Sequence, residues 1–133
     1  MVVSDPTITS LKTWLNHAQA WLHEDASQEA LQPPHRQMLD MMSQAMEENH
    51  VSRVWILMNE IETLTLHMTN TRELGEVFIR CAKIASDLEN LKDALRLLLA
   101  AESKYKAYPH QHAVALWMVG CIHWFYVTTQ RAE

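Results

Sequence analysis

The stretch GEVFIRCAKIASDLENLKDALRLLLAAESKYKAY, residues 75–108, decides how the rest of the chain is read. It holds two helical patterns separated by a short polar turn at Asp87–Asn90. Phe78, Cys81, Ala82 and Ala85 fall at i, i+3, i+4 and i+7 in the first half. Ala94, Leu95, Leu98, Ala101 and Glu102 follow the same spacing in the second, so each half buries one face. Ala82 and Ala94 sit where two antiparallel helices would cross, and small side chains there let the backbones approach closely. The stretch predicts a helical hairpin with a small-residue seam.

The rest of the composition extends that prediction to the whole chain. Of 133 residues, 48% are hydrophobic, while only two are Gly and four are Pro, and so few breakers over this length favour an all-α protein. The length supports one domain with a sizeable core. A net charge of −5 argues against nucleic acid as a partner, because phosphate binding needs a basic face. The segment MVVSDPTITS has neither the basic nor the apolar region of a secretory signal. The longest apolar run, Ala113–Val127, is interrupted by His123 and is shorter than the ~20 residues of a membrane span. No membrane partner and a cytoplasmic location are therefore expected. Cys81 and Cys121 lie in apolar helical patterns and read as buried, reduced thiols.

Asp5–Pro6 opens a first helix, with an acid at the N-cap and proline at the first helical position. Leu11, Trp14, Leu15, Ala18, Trp21 and Leu22 form its apolar stripe. The polar segment 24–32 reads as a loop. Pro33–Pro34 starts the next helix, whose apolar face carries Met38, Met41, Met42 and Ala45, with Met46 off that stripe and exposed. After a break at Glu47–His50, Val51, Val54, Trp55, Met58, Ile61 and either Leu64 or Thr65 form the buried side of a third helix. Asn70 and Glu73 have capping-box spacing ahead of the 75–108 hairpin. Tyr108–Pro109–His110 is a break, and a last helix runs from about Gln111 to Thr128.

These helices repeat. With Met42 placed on Ala82, residues Met38, Met41 and Ala45 fall on Phe78, Cys81 and Ala85, and Val54, Met58 and Ile61 fall on Ala94, Leu98 and Ala101. The offset is 40 residues throughout, and an offset of 38 places Gly120 on Ala82, with Leu116 and Val119 on Phe78 and Cys81. A fixed period of this size is the signature of a helical solenoid. Leu116, Val119 and Gly120 resemble the W-x2-L-G element of the tetratricopeptide (TPR) repeat, and Ala94, Leu98 and Ala101 resemble its A-x3-F-x2-A element. The likeness covers Pro34 to Val127, although the period exceeds the family's ~34 residues and His123 stands at an aromatic position.

The resemblance implies an all-α, TPR-like, right-handed array of antiparallel hairpins, about six helices including an extra N-terminal one. Residues 1–32 would hold the N-terminal helix and loop, 34–70 and 71–108 two hairpins, and 110–129 the first helix of a third repeat. It also implies a concave face lined by first-helix positions: Arg36, Leu39, Ser43 and Met46, then Glu76, Ile79, Lys83 and Asp87, then Val114, Trp117, Cys121 and Trp124. Leu39 and Ile79 stand where the family's peptide-carboxylate clamp has Lys, and Ser43 and Lys83 where it has Asn, so that clamp is not carried over.

Chemistry has little to work with. Eight histidines invite a metal reading, and His110, His112 and His123 are the densest group. His112 and His123, however, are roughly 16 Å apart along a helix, beyond the reach of one ion. These histidines read as exposed loop residues. No HExxH, CxxC, nucleophile constellation or Gly-rich phosphate loop is present. No catalytic residue, metal or cofactor is expected. The expected function is a non-enzymatic scaffold or adaptor that binds a partner peptide or helix, through Arg36, Leu39, Met46, Ile79, Lys83, Trp117 and Trp124. The alternative is a self-associating homodimer, for instance the sensor or adaptor arm of a larger bacterial signalling protein. Either way the apolar last helix needs a cover: the helix of Leu11–Leu22, another subunit, or further chain.

Overall fold

The computed structural model describes residues 6–22 and 31–131, with side chains described over 8–22 and 31–128. All elements among them are α-helices: α1 (Pro6–Leu22), α2 (Pro33–Glu47), α3 (Val51–Thr65), α4 (Thr71–Asp87), α5 (Leu91–Lys104) and α6 (Pro109–Arg131). Asp5 and the polar segment 24–30 lie outside the described residues.

The 40-residue repeat is written in the backbone. After α2, the amides of Asn49 and His50 donate to the carbonyls of Met46 and Ala45; after α4, those of Glu89 and Asn90 donate to Ser86 and Ala85. Both are Schellman closures, in which the residue after the C-cap turns left-handed and frees the chain to reverse. Asn49 (φ 59°) and Glu89 (φ 62°) are those residues, 40 apart. Asn90 then caps α5 by accepting from the Asp93 amide at 3.2 Å, as Asn70 caps α4 by accepting from Arg72 and Glu73.

Packing follows these turns. The α4–α5 pair makes the most extensive helix contact, α2 pairs with α3, α2 also touches α4, and α5 carries α6. Ala82 and Ala94, the small residues expected at the hairpin seam, are both buried. At the open end of the hairpin, Gly75 lets the ring of Tyr105 lie directly on the α4 backbone; a Cβ there would fall inside the ring. Arg96 on α5 meets Glu62 on α3 at 2.8 Å, a half-exposed pair that ties the hairpins modestly. Glu73 does more. Its buried carboxylate accepts from the Gln32 amide at the start of α2 and from His35 Nδ1 at 2.9 Å, so one side chain of α4 satisfies the free end of another helix.

Helix α1 folds back onto α6 and also touches α4. Leu11, Leu15, Ala18 and Leu22 are fully buried by that packing, while Trp21 stays 42% exposed. Of the three covers open to the last helix, the chain's own N-terminal helix is the one observed.

Several expected core positions lie elsewhere. Met41 and Val51 are exposed, and Leu39 and Leu57 are buried instead; of the two alternatives at the end of α3, Thr65 is buried and Leu64 exposed. Met42, Ala45, Val54, Met58 and Ile61 are buried as expected, and on α2 the stripe widens to Leu39 because α2 touches α4 as well as α3. Met46 is half-buried against the core rather than exposed. In α6 the expected seam fails: Leu116 is 48% exposed, and a Cβ at Gly120 would meet nothing within 4 Å. The buried face of α6 is instead Gln111, Val114, Ala115, Met118, Cys121 and Ile122, with Val119 at its edge.

Two substitutions at the hairpin should move stability in opposite directions, read by thermal or urea unfolding. Gly75→Ala should cost about 1–3 kcal/mol, because Tyr105 is enclosed and cannot step aside. Glu89→Gly should add about 1 kcal/mol by relieving the left-handed glutamate.

Candidate functional site

The expected concave residues separate into two groups. Leu39, Ser43, Met46, Lys83 and Asp87 do come together, lining with Asp40, Glu47, Arg80, Ile84 and Gln19 a groove of about 340 Å³ between α1, α2 and α4. Leu39 lies at its floor, only 2% exposed, and Ile79 is wholly buried. Neither offers a surface to a partner. The cations are also spoken for: Lys83 Nζ lies 2.6 and 2.7 Å from the two Asp87 carboxylate oxygens, and Arg80 Nε donates to Glu76 at 3.1 Å. Arg36 is exposed outside the groove and donates to the Leu31 carbonyl at 3.2 Å. Both basic groups of the groove are thus paired within the chain, while Asp40 and Glu47 also line it.

Trp117 and Trp124 belong to a different surface. Trp124 packs on Trp14 with ring centroids 4.8 Å apart, and Trp117 on Trp21 at 5.9 Å. Both pairs share one antiparallel register of α1 on α6, and both leave one edge in solvent: Trp117 is 46% and Trp124 44% exposed. Trp14 and Trp21 were read only as helix-stripe residues, yet their spacing of seven matches that of Trp117 and Trp124. That equality was the available signal for the pairing. His110 secures the register, its Nε2 donating to the Trp21 carbonyl at 2.6 Å and so capping the C-terminal end of α1.

Leu116 and Val127 extend the same surface, at 48% and 54% exposure. No Asp, Glu, Lys or Arg occurs from residue 109 to 130. Helix α6 therefore presents α5 and α1 with two apolar faces and solvent with a third.

His110, His112 and His123 are helical, not loop, residues. His110 and His112 stand in the first turn of α6, and His112 Nε2 donates to Glu102 of α5 at 2.7 Å. Among the described residues no three His, Cys, Asp or Glu side chains are placed to hold a metal ion. Burial pushes the Cys81 thiol up to about 12, Glu62 adding to the effect, and burial alone takes Cys121 to about 11. Both are free, protonated thiols in the fold. No described helix is long and apolar enough to cross a membrane. No family model matches the chain, and no curated protein or solved structure matches it.

The thiols set an alkaline limit. Unfolded cysteines release their protons near pH 9, whereas the folded ones hold them to about 11 and 12. Stability carried by this difference is complete below pH 9 and falls as pH rises from there to about 12. Urea midpoints measured across that window should decline, with a shallower slope in Cys81→Ala. At pH 8 the native thiols should resist a disulfide reagent that titrates both after unfolding.

Proposed function

We propose that this chain is a non-enzymatic protein–protein interaction module, built as a TPR-like array of helical hairpins, whose working surface is the open face of α6. One observation carries the proposal: Leu116, Trp117, Trp124 and Val127 are each about half exposed on a helix without a charged residue over 109–130. The neighbouring Trp21 edge enlarges the patch. Large exposed apolar patches mark interaction sites, and tryptophan is enriched among the residues that dominate binding. The groove between α1, α2 and α4 is the weaker candidate, since its basic groups are paired within the chain and its apolar residues are largely covered. The matched turns at Asn49 and Glu89 support the repeat half of the proposal.

A photo-crosslinking residue placed at Leu116 should yield adducts with a protein partner in lysate of the source cells. The same residue at Arg53 on α3 should yield none. Adducts at position 53 with none at 116 would overturn the assignment of the surface.

A further inference from the structure

We infer that the occupant of the open face of α6 is the same face of a second copy, running antiparallel about a two-fold axis at Gly120. The inference rests on α6 being an interaction surface, as just proposed, and names its partner.

At 100° per residue, the solvent arc of α6 has a midline of Ala113, Gly120 and Val127. Leu116 and His123 flank it on one side, Trp117 and Trp124 on the other. All seven are exposed. Residues recurring every seven positions along a midline are what keep two helices in continuous contact at a small crossing angle.

Gly120 is the clue to the partner. A glycine within a helix is unfavourable, and at Gly75 the ring of Tyr105 explains it. At Gly120 a Cβ would meet nothing, so a single copy gives no steric reason for it. A second helix crossing there does. Antiparallel pairing about Gly120 sets Gly120 on itself, Ala113 opposite Val127, Leu116 opposite Trp124 and Trp117 opposite His123. Gly120 on Gly120 lets the helix axes approach at the centre, the flanking levels each pair a smaller side chain with a larger one, and the pattern is its own complement, as an isologous interface requires.

Charge is compatible with this pairing. Two copies that each carry −5 repel at long range, and a face without charged residues lets them meet without bringing like charges together. The face 109–130 meets that condition, and it offers no charge pattern by which an acidic or basic partner would be recognised. The exposed side chains of the patch amount to roughly 500 Å² per copy, so a pair would bury about 1,000 Å², near the lower bound of specific interfaces.

Cysteine pairing in the full chain tests the geometry, because Cys81 and Cys121 are buried. Gly120→Cys, which has open space in one copy, should form a disulfide-linked dimer under mild oxidation. Ala113→Cys mixed with Val127→Cys should cross-link as a heterodimer, while either alone should not. Self-linking of Ala113→Cys would overturn the antiparallel arrangement. Gly120→Leu should keep the helical signal yet sediment as a monomer where the unmodified chain sediments as a dimer, and its melting temperature should lose its dependence on protein concentration; a dimeric Gly120→Leu would contradict the axis. A chain that stays monomeric while the probe at 116 captures a different protein would sink self-pairing and leave the interaction surface standing. A monomer whose probe captures nothing would sink both.

Discussion

Everything in this molecule leans on the close approach of α4 and α5. Gly75 lets the Tyr105 ring lie on the α4 backbone, and the small residues Ala82 and Ala94 are buried in the two helices. Besides α5, helix α4 also touches α2 and α1. It is consequently buried almost all round, and its polar groups must be satisfied inside. They are: Glu73 holds the start of α2, Glu76 pairs with Arg80, and Ser86 donates to the Lys83 carbonyl at 3.0 Å. A carboxylate at Glu73 thus converts a desolvation cost into the joint between two hairpins.

The second consequence concerns α6. Stacking on α5 covers one side of it, and α1 covers another through the Trp14–Trp124 and Trp21–Trp117 contacts. A helix that is apolar all round needs three covers, and the described chain supplies two. Helix α1 also forms one wall of the groove beside α2 and α4, so the open apolar surface lies on α6 rather than in that groove.

Helix positions were legible because the punctuation is strong. Pro33–Pro34, the polar turns at 47–50 and 87–90, and Pro109 delimit helices whose observed ends lie within a few residues of the expected ones. The repeat was legible for a deeper reason: the residues at offset 40 close the same turn, down to the left-handed position shared by Asn49 and Glu89. What could not be read was rotation. Helix α6 has no charged residue to mark its wet side, so superposing Gly120 on Ala82 put the seam on the face that the structure leaves open. In α2 a second neighbour, α4, draws Leu39 inward where a lone hairpin would have used Met41. Glu73 was read as a local cap; its long-range role to Gln32 leaves no trace in spacing. Of the site, Trp117 and Trp124 were legible as a pair on one face, whereas Leu39 and Ile79 were misplaced by the same missing information about neighbours.

Four of the five tryptophans lie at the α1–α6 junction, so intrinsic fluorescence reports almost entirely on this surface. The most direct test of an open α6 face that closes by association is acrylamide quenching of that emission over a dilution series from high micromolar to low nanomolar protein. Quenching that rises on dilution, as half-exposed indoles are uncovered, is the predicted result. Strong quenching that never changes with concentration would mean the face stays open and associates with nothing of its own kind, contradicting the account.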